Sequence, residues 1–269
     1  MDTPVSIRGR NGLLDDRRQF LRRRQRFSFT RSNNRTRNAP DTLQCRLDGG
    51  SWGPCPSPLQ YSGLADGSHT LEARAAIEKY LKLGGKIIGE QKFSVECDSS
   101  YIEEIARLAQ DFGVPVLLHF QHATYNLSFE RFHKILEKFP KVNFIGHAQT
   151  WWANIDRANV NDAKSLYPKG KVTPGGLTDR YLSDYPNMFA DLSAGSGEGA
   201  FKRDPEHARA FFTRHQDKLL YGSDCNDKTG EEALCSGIRQ IGQVRQFSAS
   251  KAIERKVLFG NAQKLFRFS

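Results

Sequence analysis

From residue 76 to 269 the chain is predicted to be an α/β protein made of consecutive βα units around a parallel sheet. Three observations carry this prediction. Short β-prone apolar runs alternate with amphipathic stretches of helical period. Breakers fall between them, with Gly113 and Pro115 after one helical stretch and Pro140 after the next. Every predicted strand also ends in a polar side chain, as in a TIM-type (β/α) barrel, where functional groups leave the packed interior at the C-terminal strand ends.

Taken in order, strands are predicted at 87–93, 116–120, 142–147, 188–192 and 219–222. Helices are predicted at 100–112, 128–139, 177–184 and 205–214, with a closing pair over 252–266. The strand ends carry Glu90, His119, His147, Asp191 and Asp224. A polar group at a barrel mouth needs a partner, and ionisable groups at five equivalent positions share one cavity, so a common partner such as a metal ion follows. Imidazole nitrogen suits zinc, manganese or iron, and a carboxylate can both ligate and accept a proton. A metal on His119 and Asp224 would lower the pKa of its water, with His147 polarising the substrate or relaying a proton. Two residues keep a second reading at this stage: Asp191 as a helix cap or acceptor from a loop amide, and Glu90 as a structural carboxylate.

The segment before the barrel portion differs. Residues 41–74 alternate short β-prone runs with Asp48-Gly49-Gly50 and Asp66-Gly67, both hairpin-type turn signals. Cys45 and Cys55 flank the first turn and could be bridged, Trp52 and Tyr61 could form a small core, and His69 reads as an ordinary strand residue. Residues 1–40 hold 11 arginines, no lysine and 3 aspartates, so +8 of the net +10 lies there and the other 229 residues carry +2. Runs such as Arg22-Arg23-Arg24 could bind phosphates. Aromatic interleaving is slight and no binding fold accompanies them, so the tail is read as disordered and solvated and nucleic acid is not the expected partner. Five cysteines without CxxC or Cys/His spacing exclude structural zinc. No apolar run approaches the roughly 20 residues of a membrane span, and no signal-peptide core is present, so no membrane is expected and the chain as given is read as cytoplasmic.

Near the predicted site, His122 follows His119 by three residues and is a candidate for contacting metal or substrate from the loop. Trp151 and Trp152 precede a loop of about 20 residues, long enough for a lid. They form either an aromatic wall for an aromatic or cyclic substrate or part of the core. The glycine-rich run 194–199 is either an anion cradle or a flexible loop. Without a Walker lysine it does not bind nucleotide.

Four stretches carry a resemblance: Pro115-Val116-Leu117-Leu118-His119-Phe120, Val142-Asn143-Phe144-Ile145-Gly146-His147-Ala148-Gln149, Lys218-Leu219-Leu220-Tyr221-Gly222-Ser223-Asp224 and the closing Gly260-Asn261-Ala262. They resemble the amidohydrolase superfamily, specifically the amidohydrolase-related (type 2) metal-dependent hydrolases. By that resemblance they fall on strands five, six and eight and the final motif of the barrel, and Glu90 falls on strand four. The resemblance implies His119 and Asp224 as metal ligands, Asp224 also as proton acceptor, and His147 as a catalytic histidine or second-metal ligand. It implies a divalent ion, zinc or alternatively manganese, and attack of metal-bound water on a C–N or C–O bond of a small, possibly cyclic substrate. Type 2 members also include decarboxylases using the same ligands. Residues 41–74 resemble a repeat of bacterial cell-surface Ig-like modules, which leaves a catalytically degenerate surface protein as a third reading. The family's strand-one His-x-His is absent, as none of the seven histidines has that spacing. A complete barrel takes about 250 residues, so an incomplete barrel of strands four to eight is expected, with open edges that invite self-association.

Overall fold

The computed structural model describes residues 44–46, 52–54, 68–159, 165–225 and 235–267. Two compact units divide the chain, residues 1–55 and 56–269. In the first, β1 (Gln44–Arg46) pairs antiparallel with β2 (Trp52–Pro54), Cys45 opposite Gly53. The basic tail, Cys55, Tyr61 and most of the Ig-like stretch lie outside the described residues.

In the second unit α1 (Ser68–Lys82) is helical, correcting the expectation of β structure through residue 74 and of a strand at residue 69. The reason lies in its composition: from Leu71 it is dominated by Ala, Glu, Lys and Leu, all strong helix formers. Arg74 fixes this helix to the next by bonding Glu104 at 2.5 Å, while Glu78, one turn along its own helix, holds the guanidinium at 2.8 Å.

The sheet consists of β3 (Ile88–Gln91), β4 (Val116–His119), β5 (Phe144–His147), β6 (Met188–Asp191) and β7 (Leu219–Leu220), side by side in that order. All neighbours pair in parallel, as the alternating βα pattern requires. These are the five predicted strands, here equivalent to strands four to eight of a barrel.

Helices α2 (Ser100–Phe112), α3 (His133–Lys138), α4 (Ala148–Ala153), α5 (Leu177–Asp184), α6 (Ala194–Lys202), α7 (Pro205–Arg214), α8 (Ser236–Phe247), α9 (Lys251–Arg255) and α10 (Asn261–Phe266) fill the connections and the C-terminus. In α2, Ile102, Ile105, Ala106, Leu108 and Ala109 form the buried stripe, and Gly113 closes the helix at φ 63.

Two tight approaches correct the remaining loop readings. Trp151 is completely buried and its ring lies over Gly146, where a Cβ would sit 2.4 Å from the indole. It packs with Phe120 and Phe129 in the core instead of forming a wall over the site. The glycine-rich run 194–199 is not a flexible loop but the start of α6. A Cβ on Gly197 would lie 2.0 Å from the Leu192 carbonyl, so only glycine lets this helix fold back onto the end of its own strand.

Candidate metal centre

Register assembles the site. His119 and His147 end neighbouring parallel strands and are direct Cα partners, which puts their ring centroids 5.4 Å apart. Glu90 comes from the other side, on β3. His119 Nδ1 bonds Glu90 Oε1, and the same oxygen is 3.3 Å from His147 Nε2. Potential ligand atoms of Glu90, His119 and His147 all lie within 4.8 Å of one another. Both histidines are buried and Glu90 is half-buried.

Charges set the protonation. Burial works against the Glu90 carboxylate, but the His119 bond and the nearby His147 and Lys92 charges outweigh it and hold the group down to about 2. Lys92 Nζ is 3.0 Å from the second Glu90 oxygen. Burial likewise works against a charged His147, yet Asp191 at 2.8 Å from Nδ1, with Glu90 beyond, raises its pKa. Asp224 takes a left-handed backbone, φ 45. Partial desolvation raises its carboxyl pKa, and His147 pulls the other way. The residue as a whole is exposed.

Of the four predicted ligands, the structure brings Glu90, His119 and His147 together; Asp224 lies in their electrostatic reach but outside the group of atoms within 4.8 Å. His122 sits on the loop after β4, where its backbone N–H donates to Thr150 Oγ1 at 2.7 Å, and it too is outside that group. A cavity of about 390 Å³ between α4 and α6 is lined by Trp152, Tyr167, Lys169, Lys202 and Arg203 and by none of the predicted ligands.

Several contacts were missed in the sequence. Gln121 Oε1 is 3.1 Å from His119 Nε2, and Tyr125 meets the His119 ring edge-on at 5.6 Å. Asn126, buried at φ 47, donates to the Gln91 and His119 carbonyls at 2.9 and 2.8 Å and so joins the ends of β3 and β4. Gln121 follows His119 by two residues, a spacing that keeps extended-chain side chains on one side and is a usable signal. Asn126 offers none. Cys225, next to Asp224, is joined to Cys235 by a disulfide that the cysteine spacing did not reveal.

Two imidazoles and one carboxylate, gathered at the C-terminal ends of parallel strands, fit a divalent first-row cation by the chemistry of the donor set. Strand-end histidines facing a half-buried carboxylate across a parallel sheet place the chain among barrel-type metal-site proteins. The particular family follows from the sequence match: the model described as amidohydrolase covers residues 70–268, and the chain belongs to the amidohydrolase family.

Among solved structures, similar chains include a candidate 2-pyrone-4,6-dicarboxylic acid hydrolase from Pseudomonas putida (16% identity, TM-score 0.49, 73% of this chain and 68% of that one). A 2,6-dihydroxybenzoate decarboxylase complexed with 2,6-dihydroxybenzoate gives 15% identity and TM-score 0.42 over 79% of this chain and 69% of that one. A 5-carboxyvanillate decarboxylase from Novosphingobium aromaticivorans, complexed with manganese, gives 15% identity and TM-score 0.40 over 74% and 61%. The chain thus spans 61 to 69% of the length of these three. Comparison with curated proteins gives no match.

Proposed function

We propose that this protein is a metal-dependent hydrolase acting on a C–N or C–O bond of a small, possibly cyclic substrate. The observation that carries the reading is the Glu90–His119–His147 cluster at the strand ends of an amidohydrolase-family chain. Glu90, His119 and His147 would hold a divalent ion, zinc or manganese, with Asp224, four residues past the end of β7, completing the set. When bound, that ion supplies Lewis acidity to the reacting carbonyl and to water. Asp224 would take up the proton lost by the attacking water. His122 on the loop after β4 contacts the substrate.

The test is metal stoichiometry and turnover together. Chelator-treated protein reloaded with Zn2+ or Mn2+ is expected to take up one ion per chain and to hydrolyse members of a lactone and cyclic-amide panel. His119→Ala should weaken ion binding by at least about 10-fold. Wild type that retains no more metal than His119→Ala refutes the reading. CO2 release from aromatic carboxylates without hydrolysis of the panel would instead assign a lyase to the same ligands.

A further inference from the structure

His147 lies between two carboxylates, and only one of them belongs to the cluster. Its Nε2 is 3.3 Å from Glu90 Oε1, while its Nδ1 is 2.8 Å from Asp191 Oδ2. We propose that Asp191 is a positioning residue: it fixes His147 as the Nδ1–H tautomer and so turns the Nε2 lone pair toward the metal cluster. The inference rests on the metal-centre reading above and adds a residue to it.

Three features hold the Asp191 carboxylate in this role. Its own backbone carbonyl accepts from Trp152 Nε1 at 2.9 Å, anchoring the end of β6 to α4. Ser193 Oγ donates to Oδ2, the oxygen that faces His147. With its proton so used, the Ser193 oxygen is 3.3 Å from His147 Nδ1 and presents a lone pair there, as an Nδ1–H requires. The glycine at 222 leaves room for the other oxygen, since a Cβ there would lie 2.5 Å from Asp191 Oδ1.

The consequence at the ring is specific. A neutral imidazole carries one proton, and the group bonded to one nitrogen decides what the other can do. In water the Nε2–H form is favoured; beside Asp191 the proton belongs on Nδ1. Nε2 and Glu90 Oε1 are then two acceptors facing each other at 3.3 Å, a gap that attracts a cation. A carboxylate on the far nitrogen also makes the near one a stronger donor to metal.

The experiment uses the full chain. Two-bond 1H–15N correlation of the histidine rings in metal-free protein, above the histidine titration range, is expected to show His147 protonated on Nδ1. Asp191→Asn should move the ring toward Nε2–H and weaken Mn2+ binding, measured by calorimetry, by about 10- to 100-fold while circular dichroism and melting are kept. Gly222→Ala, which displaces the carboxylate without altering charge, should reproduce both changes. The wild-type ring spectrum decides by itself if neither variant folds. A wild-type His147 protonated on Nε2, or Mn2+ affinity unchanged in folded Asp191→Asn, overturns the assignment. Wild type that binds no Mn2+ removes the metal-centre reading, and the ring signals still decide the Asp191–His147 assignment.

Discussion

Asp179 shows how one buried charge is tolerated in this fold. It is 7% exposed, and its carboxylate accepts from Arg214 Nε and Nη2 at 3.0 and 2.9 Å and from His215 Nε2 at 2.5 Å. Burial opposes the charge, but the His215 and Arg214 bonds outweigh it and bring the pKa down to about 2. The unfolded value is about 3.9, so the folded state binds this proton less readily and gains roughly 2 kcal/mol from the ionised form. That gain is complete above about pH 4 and is lost as pH falls toward 2. Urea unfolding followed by tryptophan fluorescence should find Asp179→Asn less stable than wild type near neutrality, with the difference shrinking through that window. A pH-independent difference would exclude this origin. At the same scale, His119 and His147 were legible because strand-end position is written in local pattern. The core location of Trp151 was not legible, because an aromatic after a strand end reads alike in a wall and in a core until Gly146 is seen beneath it.

Among elements, α2, α5 and α7 match their predicted limits because their apolar spacing and their punctuation agree. In α7, Asp204 caps the first turn and Pro205 occupies its start. Helix α8 escaped because Gly237 and Gly242 weaken its local preference. Tertiary packing supplies what propensity lacks: Val244 and Phe247 are buried, and Gln240 Nε2 donates to the Leu192 and Ala194 carbonyls at 2.9 and 2.7 Å. The closing Gly260-Asn261-Ala262 has a structural role of the same kind. Asn261 Nδ2 donates to Gln216 O and Leu219 O at 2.7 and 2.8 Å, so the last helix secures the entry to β7. Asn261→Ala leaves those carbonyls without this donor, and a loss of about 2 kcal/mol is expected in denaturant unfolding. A variant within a few tenths of wild type would show that the motif does not hold β7.

For the molecule as a whole, the five-stranded order leaves β3 and β7 as sheet edges, each hydrogen-bonded to one neighbour among the described residues. Unpaired strand edges template pairing with other chains. Sedimentation velocity over a range of concentrations is therefore expected to show self-association, and a concentration-independent monomer would reject it. Among the described residues no helix is long and apolar enough to cross a membrane. The amino-acid sequence by itself determined the succession of βα units and the chemistry at each strand end, because hydrophobic period and chain breakers act over a few residues. Only the tertiary structure decided which of those strand-end groups meet. That depends on strand register and on long-range packing: Glu90 reaches both histidines, Asp191 takes the far side of His147, and Asp224 stands apart on a left-handed backbone.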